Sequence, residues 1–137
     1  EGAAMSLAAD RGWGVHGWDR IKEAERPGCT TITPYFAASF FPQMYHAVLC
    51  REVIEHVPDW RRFLSEIVAV THRGGLVQIQ TPRPWKEPHG IPYQPAHLQL
   101  FSHSFLELEL FRSGFRVLDR RVWEMGQALL LKLTDKP

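Results

Sequence analysis

Carboxylates and imidazoles are the side chains of this sequence that can move protons or grip a polar ligand, and several stand where an apolar run stops. "HAVLC", His46 to Cys50, ends in Arg51-Glu52, and Glu55-His56-Val57-Pro58 follows within a few residues. "GVHGWD", Gly14 to Asp19, closes on an acid with Trp18 beside it. His89 and His97 fall in a proline-rich stretch further along. A carboxylate at a strand end can accept both hydroxyls of a ribose, as in dinucleotide-binding sheets. A neutral imidazole can take a proton from a hydroxyl. A chain that only had to build a core would not need this much polar chemistry behind an apolar strand.

The elements that must position these groups can be read from periodicity and punctuation. Ala3 to Arg11 is rich in helix formers, with Gly12 as its stop. Gly14–Asp19 and Thr30–Thr33 read as short strands. The continuous apolar run His46–Cys50 predicts a strand buried on both faces of a parallel sheet. Asp59 is an N-cap, and Trp60, Phe63, Leu64, Ile67 and Val68 follow on one helical stripe. Gly74-Gly75 predicts a break, Leu76–Thr81 a strand, and Pro82 to Leu100 a long loop. Ser102 or Ser104 caps a helix running through Ser113, with Gly114 at its stop. Strands near Phe115–Trp123 and Ala128–Thr134, joined tightly around Gly126, predict an antiparallel hairpin. This order is an α/β, Rossmann-like, mostly parallel sheet with one antiparallel strand.

Composition narrows the function. A chain of 137 residues fits a single domain, 1–137, and 45% hydrophobic residues suffice for a core. A net charge of +1 with well-mixed signs offers no basic stripe for nucleic acid. The seven histidines show no His-x-x-x-His spacing, and with no Cys-x-x-Cys pair no metal set is expected. Cys29 and Cys50 read as buried thiols in a reducing compartment. Without a membrane-length apolar stretch or a signal peptide, a cytoplasmic location and no membrane partner are expected.

Ligands of open parallel sheets bind outside the carboxyl ends of the strands, where strand order reverses. Asp19, the stretch after Thr33, Arg51-Glu52 and the loop after Thr81 hold those positions. The segment "YHAVLCREVIEHVPDWRRFLSEIVAVTHRGGLVQIQTPRP" resembles the class I S-adenosylmethionine-dependent methyltransferases acting on small molecules: strand four, Glu-His-Val, a helix, Gly-Gly, and strand five ending in Thr-Pro. "HLQLFSHSFLELELFRSGFRVL" is similar to the later segment of that family, and "AADRGWGVHGWD" looks like its first helix and second strand.

The resemblance implies S-adenosylmethionine as cofactor and a small-molecule acceptor. It assigns Asp19 to the ribose, Trp18 to the adenine, and Arg51 and Glu52 to the methionine end. Glu1-Gly2 looks like the end of the family's Gly-x-Gly-x-Gly loop, which makes Gly2 a cofactor contact. It also implies that strand one and most of that loop are missing, leaving the flanking strands as unpaired edges. His97 and His89, on the acceptor side, are the candidate bases, and Trp85 and Tyr93 candidate walls of the acceptor pocket. His56 reads as a hydrogen-bonded structural residue.

Two stretches depart from the family pattern: Pro34-Tyr35-Phe36 stands where an acid is frequent, and Tyr45-His46 where Phe-Asp is frequent. They keep a second reading open, a non-catalytic methyltransferase-like scaffold that binds a partner. A nicotinamide-dependent Rossmann enzyme would also suit an acid after the second strand, but the closing hairpin and the Glu-His-Val segment argue against it. A metal-dependent hydrolase lacks ligand spacing.

Overall fold

The computed structural model describes residues 3–19, 30–32, 35–82, 84, 96–123 and 126–134. Its contacts gather into two compact units, Glu1–Pro42 and Gln43–Pro137.

The first unit holds helix α1 (Ala3–Ala9) and strands β1 (Gly17–Asp19) and β2 (Thr30–Ile32), which pair in parallel. α1 ends before the predicted Arg11, and Gly12 takes the left-handed φ of 79° that stops it. β1 is half the predicted length, while Thr33 at the end of the second predicted strand lies outside the described residues. Aromatic rings organise the rest. Trp18 meets Phe36 edge-on at 5.5 Å, and Phe36 and His16 each lie 5.1 Å from Phe41. Such pairs are worth about 0.5–1.5 kcal/mol each beyond their burial. Phe36, in the stretch that departs from the family pattern, thus has a packing role.

The second unit is a four-stranded sheet in the order β3-β4-β6-β5, from β3 (Tyr45–Arg51), β4 (Thr71–Pro82), β5 (Phe115–Val122) and β6 (Gly126–Leu133). β3 and β4 are parallel, and β6 runs antiparallel to both β4 and β5, so β6 is the one antiparallel strand, as the hairpin predicts. Helix α2 (Trp60–Val70) packs on β4, and α3 (His103–Arg112) packs on β5. Asp59 caps α2 by accepting from the Arg62 N–H at 3.0 Å, and Ser102, rather than Ser104, caps α3. Ser113 is the C-cap of α3 rather than its last residue.

Register puts Cys50, Ile79 and Leu129 in one row and Val48, Val77 and Leu131 in the next. This face carries the core, with Phe63, Leu64 and Ile67 from α2 and Leu106 and Leu110 from α3. The α2 stripe differs at one position: Val70 is buried and Val68 only half-buried. Glu109 links the two helices, receiving Arg61 at 3.1 Å and Arg112 at 2.7 Å.

Two expectations need correction. β3 is not buried on both faces: Cys50 alone is buried and Leu49 is 48% exposed. An apolar run reports hydrophobicity and cannot report how many layers cover it. Gly74-Gly75 does not end an element but sits inside β4, where the register jumps from Tyr45↔Thr71 to Ala47↔Leu76. Gly74 takes φ 73°, and a Cβ on Gly75 would stand 2.7 Å from the His72 carbonyl, so only glycine fits this bulge. Among the described residues, no helix is long and apolar enough to cross a membrane.

Candidate functional site

The turn after β3 is where the polar residues converge. Arg51 ends the strand, exposed. Glu52 adopts φ 49°, a left-handed conformation uncommon for a residue with a side chain. It is held there because its N–H donates to the Gln80 carbonyl at 2.9 Å, while its carboxylate accepts from the Gln80 amide at 3.0 Å. Backbone strain of this kind collects at functional positions.

A single 3-10 turn, Ile54–His56, then drives Ile54 and Glu55 into the interior, both fully buried. Glu55 Oε2 accepts from the Thr81 hydroxyl at 2.9 Å, at the carboxyl end of β4. Its other oxygen, Oε1, has no hydrogen-bond partner among the described residues. Burial pushes the Glu55 carboxyl up to about 7; its own backbone N–H and Thr81 hold it down, Glu52 raises it further, and His56 lowers it.

The segment 96–99 is strapped across this turn. Leu98 N–H donates to the Glu55 carbonyl at 2.9 Å, and the Gln99 amide donates to the carbonyls of Ile54 and Val57. His56 Nδ1 lies 2.6 Å from the Ala96 carbonyl. A carbonyl can only accept, so Nδ1 carries the proton. The strap brings the His97 ring to 4.9 Å from the His56 ring. One donor atom each from Glu55, His56 and His97 then fall within 4.8 Å of one another.

The structure therefore brings His97 to Glu55 and His56, and sets Glu52 close enough to act on Glu55. Asp19 ends β1, half-buried, next to Trp18 in the first unit. Gly2, His89, Trp85, Tyr93 and Cys29 lie outside the described residues. Thr81 is the contact of this turn that sequence reasoning misses: the strand is legible, but nothing local says that its last hydroxyl serves a carboxylate 26 residues away. Nor could local spacing find the Glu55, His56 and His97 group, since 40 residues separate His56 from the strap that holds it.

Cys50 lies under the same turn, 4% exposed. Burial first, then the charges of Glu55 and Glu52, push its thiol up to about 12, against a backbone hydrogen bond from Ile54 that lowers it. Only the thiolate is nucleophilic, so at about pH 8 iodoacetamide should modify Cys50 far more slowly in the folded protein than in urea. Site-resolved mass spectrometry checks this, and equal rates would mean that the strand end opens readily.

A family model described as "Methyltransferase domain" matches residues 2–120. No curated protein sequence matches this chain. Among solved structures, LepI in complex with SAM is similar over 96% of this chain and 40% of its own length, with a TM-score of 0.65 and 13% identity. The 1,6-didemethyltoxoflavin-N1-methyltransferase of Burkholderia thailandensis, with 1,6-didemethyltoxoflavin and S-adenosylhomocysteine bound, is similar over 98% of this chain and 67% of its own, with a TM-score of 0.73 and 16% identity. A SAM-dependent methyltransferase from Archaeoglobus fulgidus is similar over 96% and 81%, with a TM-score of 0.71 and 17% identity. The chain thus spans about two fifths of the length of LepI. At these identities the likenesses concern the fold.

Proposed function

This chain belongs to the methyltransferase domain family, and from that premise we propose that it binds S-adenosylmethionine and serves methyl transfer to a small-molecule acceptor. The observation that carries the reading is the placing of polar residues at strand ends within this fold. Asp19 closes β1, Arg51 and Glu52 close β3, and Thr81 with its partner Glu55 closes β4. Those ends are where open α/β sheets take their ligands. The matched residues 2–120 include parts of both compact units.

Bound S-adenosylmethionine supplies a methyl group on a sulfonium, open to in-line displacement by the acceptor. On this reading the protein contributes chiefly position and alignment. Asp19 accepts the two ribose hydroxyls and Trp18 faces the adenine. Arg51 and Glu52 approach the methionine end, and Glu52, held by Gln80, has the fixed geometry this requires; Gly2 is a further cofactor contact. His97, or His89, takes a proton from an acceptor that must lose one. The Burkholderia enzyme holds a small molecule, 1,6-didemethyltoxoflavin, beside S-adenosylhomocysteine, which supports the same class here.

Calorimetric titration of S-adenosylhomocysteine into the full-length protein tests the reading. Asp19→Ala should weaken that binding at least tenfold, about 1.4 kcal/mol. Unchanged affinity in the variant would remove the ribose role from Asp19. No binding to the unaltered protein would leave a non-catalytic scaffold in place of the enzyme.

A further inference from the structure

We propose that Glu55, His56 and His97 form a binding site for one divalent transition-metal ion of the zinc type. The proposal needs only the geometry of these three residues, and it adds to the methyl-transfer reading an ion that the reading does not require.

Three observations converge. First, the donor set is two imidazole nitrogens and one carboxylate oxygen, a combination that first-row transition ions prefer. Ligands about 2.1 Å from a shared ion are at most about 4.2 Å apart, so atoms already within 4.8 Å need only small side-chain rotations. Second, the carboxylate is fully buried, with Oε1 lacking a hydrogen-bond partner among the described residues. A buried polar atom left unpaired is costly, and a cation at that point would remove the cost. Third, the outer shell is already built. His56 donates Nδ1–H to the Ala96 carbonyl, which in the neutral ring leaves the Nε2 lone pair for a ligand, and that nitrogen is 3.8 Å from Glu55 Oε1. Thr81 fixes the other carboxylate oxygen. Metal-binding imidazoles and carboxylates are typically oriented by such second partners.

Without an ion, Glu55 Oε1 faces His56 Nε2 at 3.8 Å, a distance too long for a good hydrogen bond. Three protein ligands leave coordination positions open, as catalytic ions require and structural ions do not. An oxygen of the acceptor could take one of them. A ligated His97 would no longer be a free base, and the ion would instead lower the pKa of a coordinated hydroxyl.

The test is a Co2+ titration of the full-length protein, followed by visible absorption and by metal analysis after gel filtration. One equivalent should bind, with the d–d bands of a low-symmetry nitrogen and oxygen site. Glu55→Gln, which keeps the side-chain shape, and His97→Ala, in the half-exposed strap, should each weaken Co2+ binding at least tenfold. His46→Ala is the control, since the His46 ring lies 4.4 Å from the His72 ring elsewhere on the unit and this pair could capture an ion by itself. Absence of binding, undiminished binding in His97→Ala, or loss in His46→Ala would each overturn the site. S-adenosylhomocysteine affinity, measured separately, keeps the two proposals apart: cofactor binding without Co2+ binding defeats only the metal site.

Discussion

Replacing Phe115 with alanine is expected to cost about 3–5 kcal/mol of folding stability, the range for removing a large aromatic from a close-packed interior. Phe115 is 1% exposed and opens β5 directly after Gly114, whose φ of 92° turns the chain from α3 into the sheet. Its Cα partner across the ladder is Leu133, and α3, with Leu106 and Leu110 fully buried, packs on the same strand. The site has little room to collapse, because the turn is also pinned from outside: Thr134 donates to the Gly114 carbonyl through its N–H at 2.9 Å and its hydroxyl at 3.0 Å. A domain has only about 5–15 kcal/mol in total, so the variant should be partly unfolded at moderate temperature. A urea titration reads the change as a fall in midpoint. A loss below about 1 kcal/mol would mean that the helix and sheet close over the gap more freely than a packed core allows.

His97→Ala carries the second large expected effect, on rate and not on stability. Removing a positioned proton acceptor typically lowers turnover by about 10²–10⁴-fold. His97 is half-buried in the strap whose register is set by backbone and Gln99 hydrogen bonds, none of which uses its imidazole. The fold and the S-adenosylhomocysteine affinity should therefore survive the substitution. Turnover measured across pH, alongside calorimetry of S-adenosylhomocysteine, checks both parts. Equal activity at every pH would reduce His97 to loop structure and leave His89 as the remaining base. If His97 is instead a metal ligand, the same variant loses its ion together with its rate, which the base role does not predict.

What could be read ahead of the structure follows from how local each cause is. The α2 helix was legible because an amphipathic stripe and an N-cap are written within a dozen residues, and Asp59, Trp60, Phe63, Leu64 and Ile67 behave as that pattern requires. A start of α3 at Ser102 or Ser104 and the closing hairpin were legible for the same reason, and the structure selects Ser102. The exposed face of β3 was not, because burial of a strand depends on which elements cover it. A glycine pair marks unusual φ without saying whether pairing resumes beyond it, so Gly74-Gly75 predicts a break where the structure has a bulge.

By itself the sequence determined the kind of fold and the chemistry available to it: alternating apolar runs and caps specify an α/β sheet with one reversed strand, and strand-end acids and histidines supply the polar groups. Only the tertiary structure decided which of these groups meet. Glu55 reaches Thr81 because a 3-10 turn points it under the end of β4, and His97 reaches Glu55 because segment 96–99 hydrogen-bonds across that turn. Helix and turn propensities act over a few residues, whereas the Glu55–Thr81 and His56–Ala96 contacts join residues 26 and 40 positions apart. Closing such loops is favourable only once a packed core holds both ends in place.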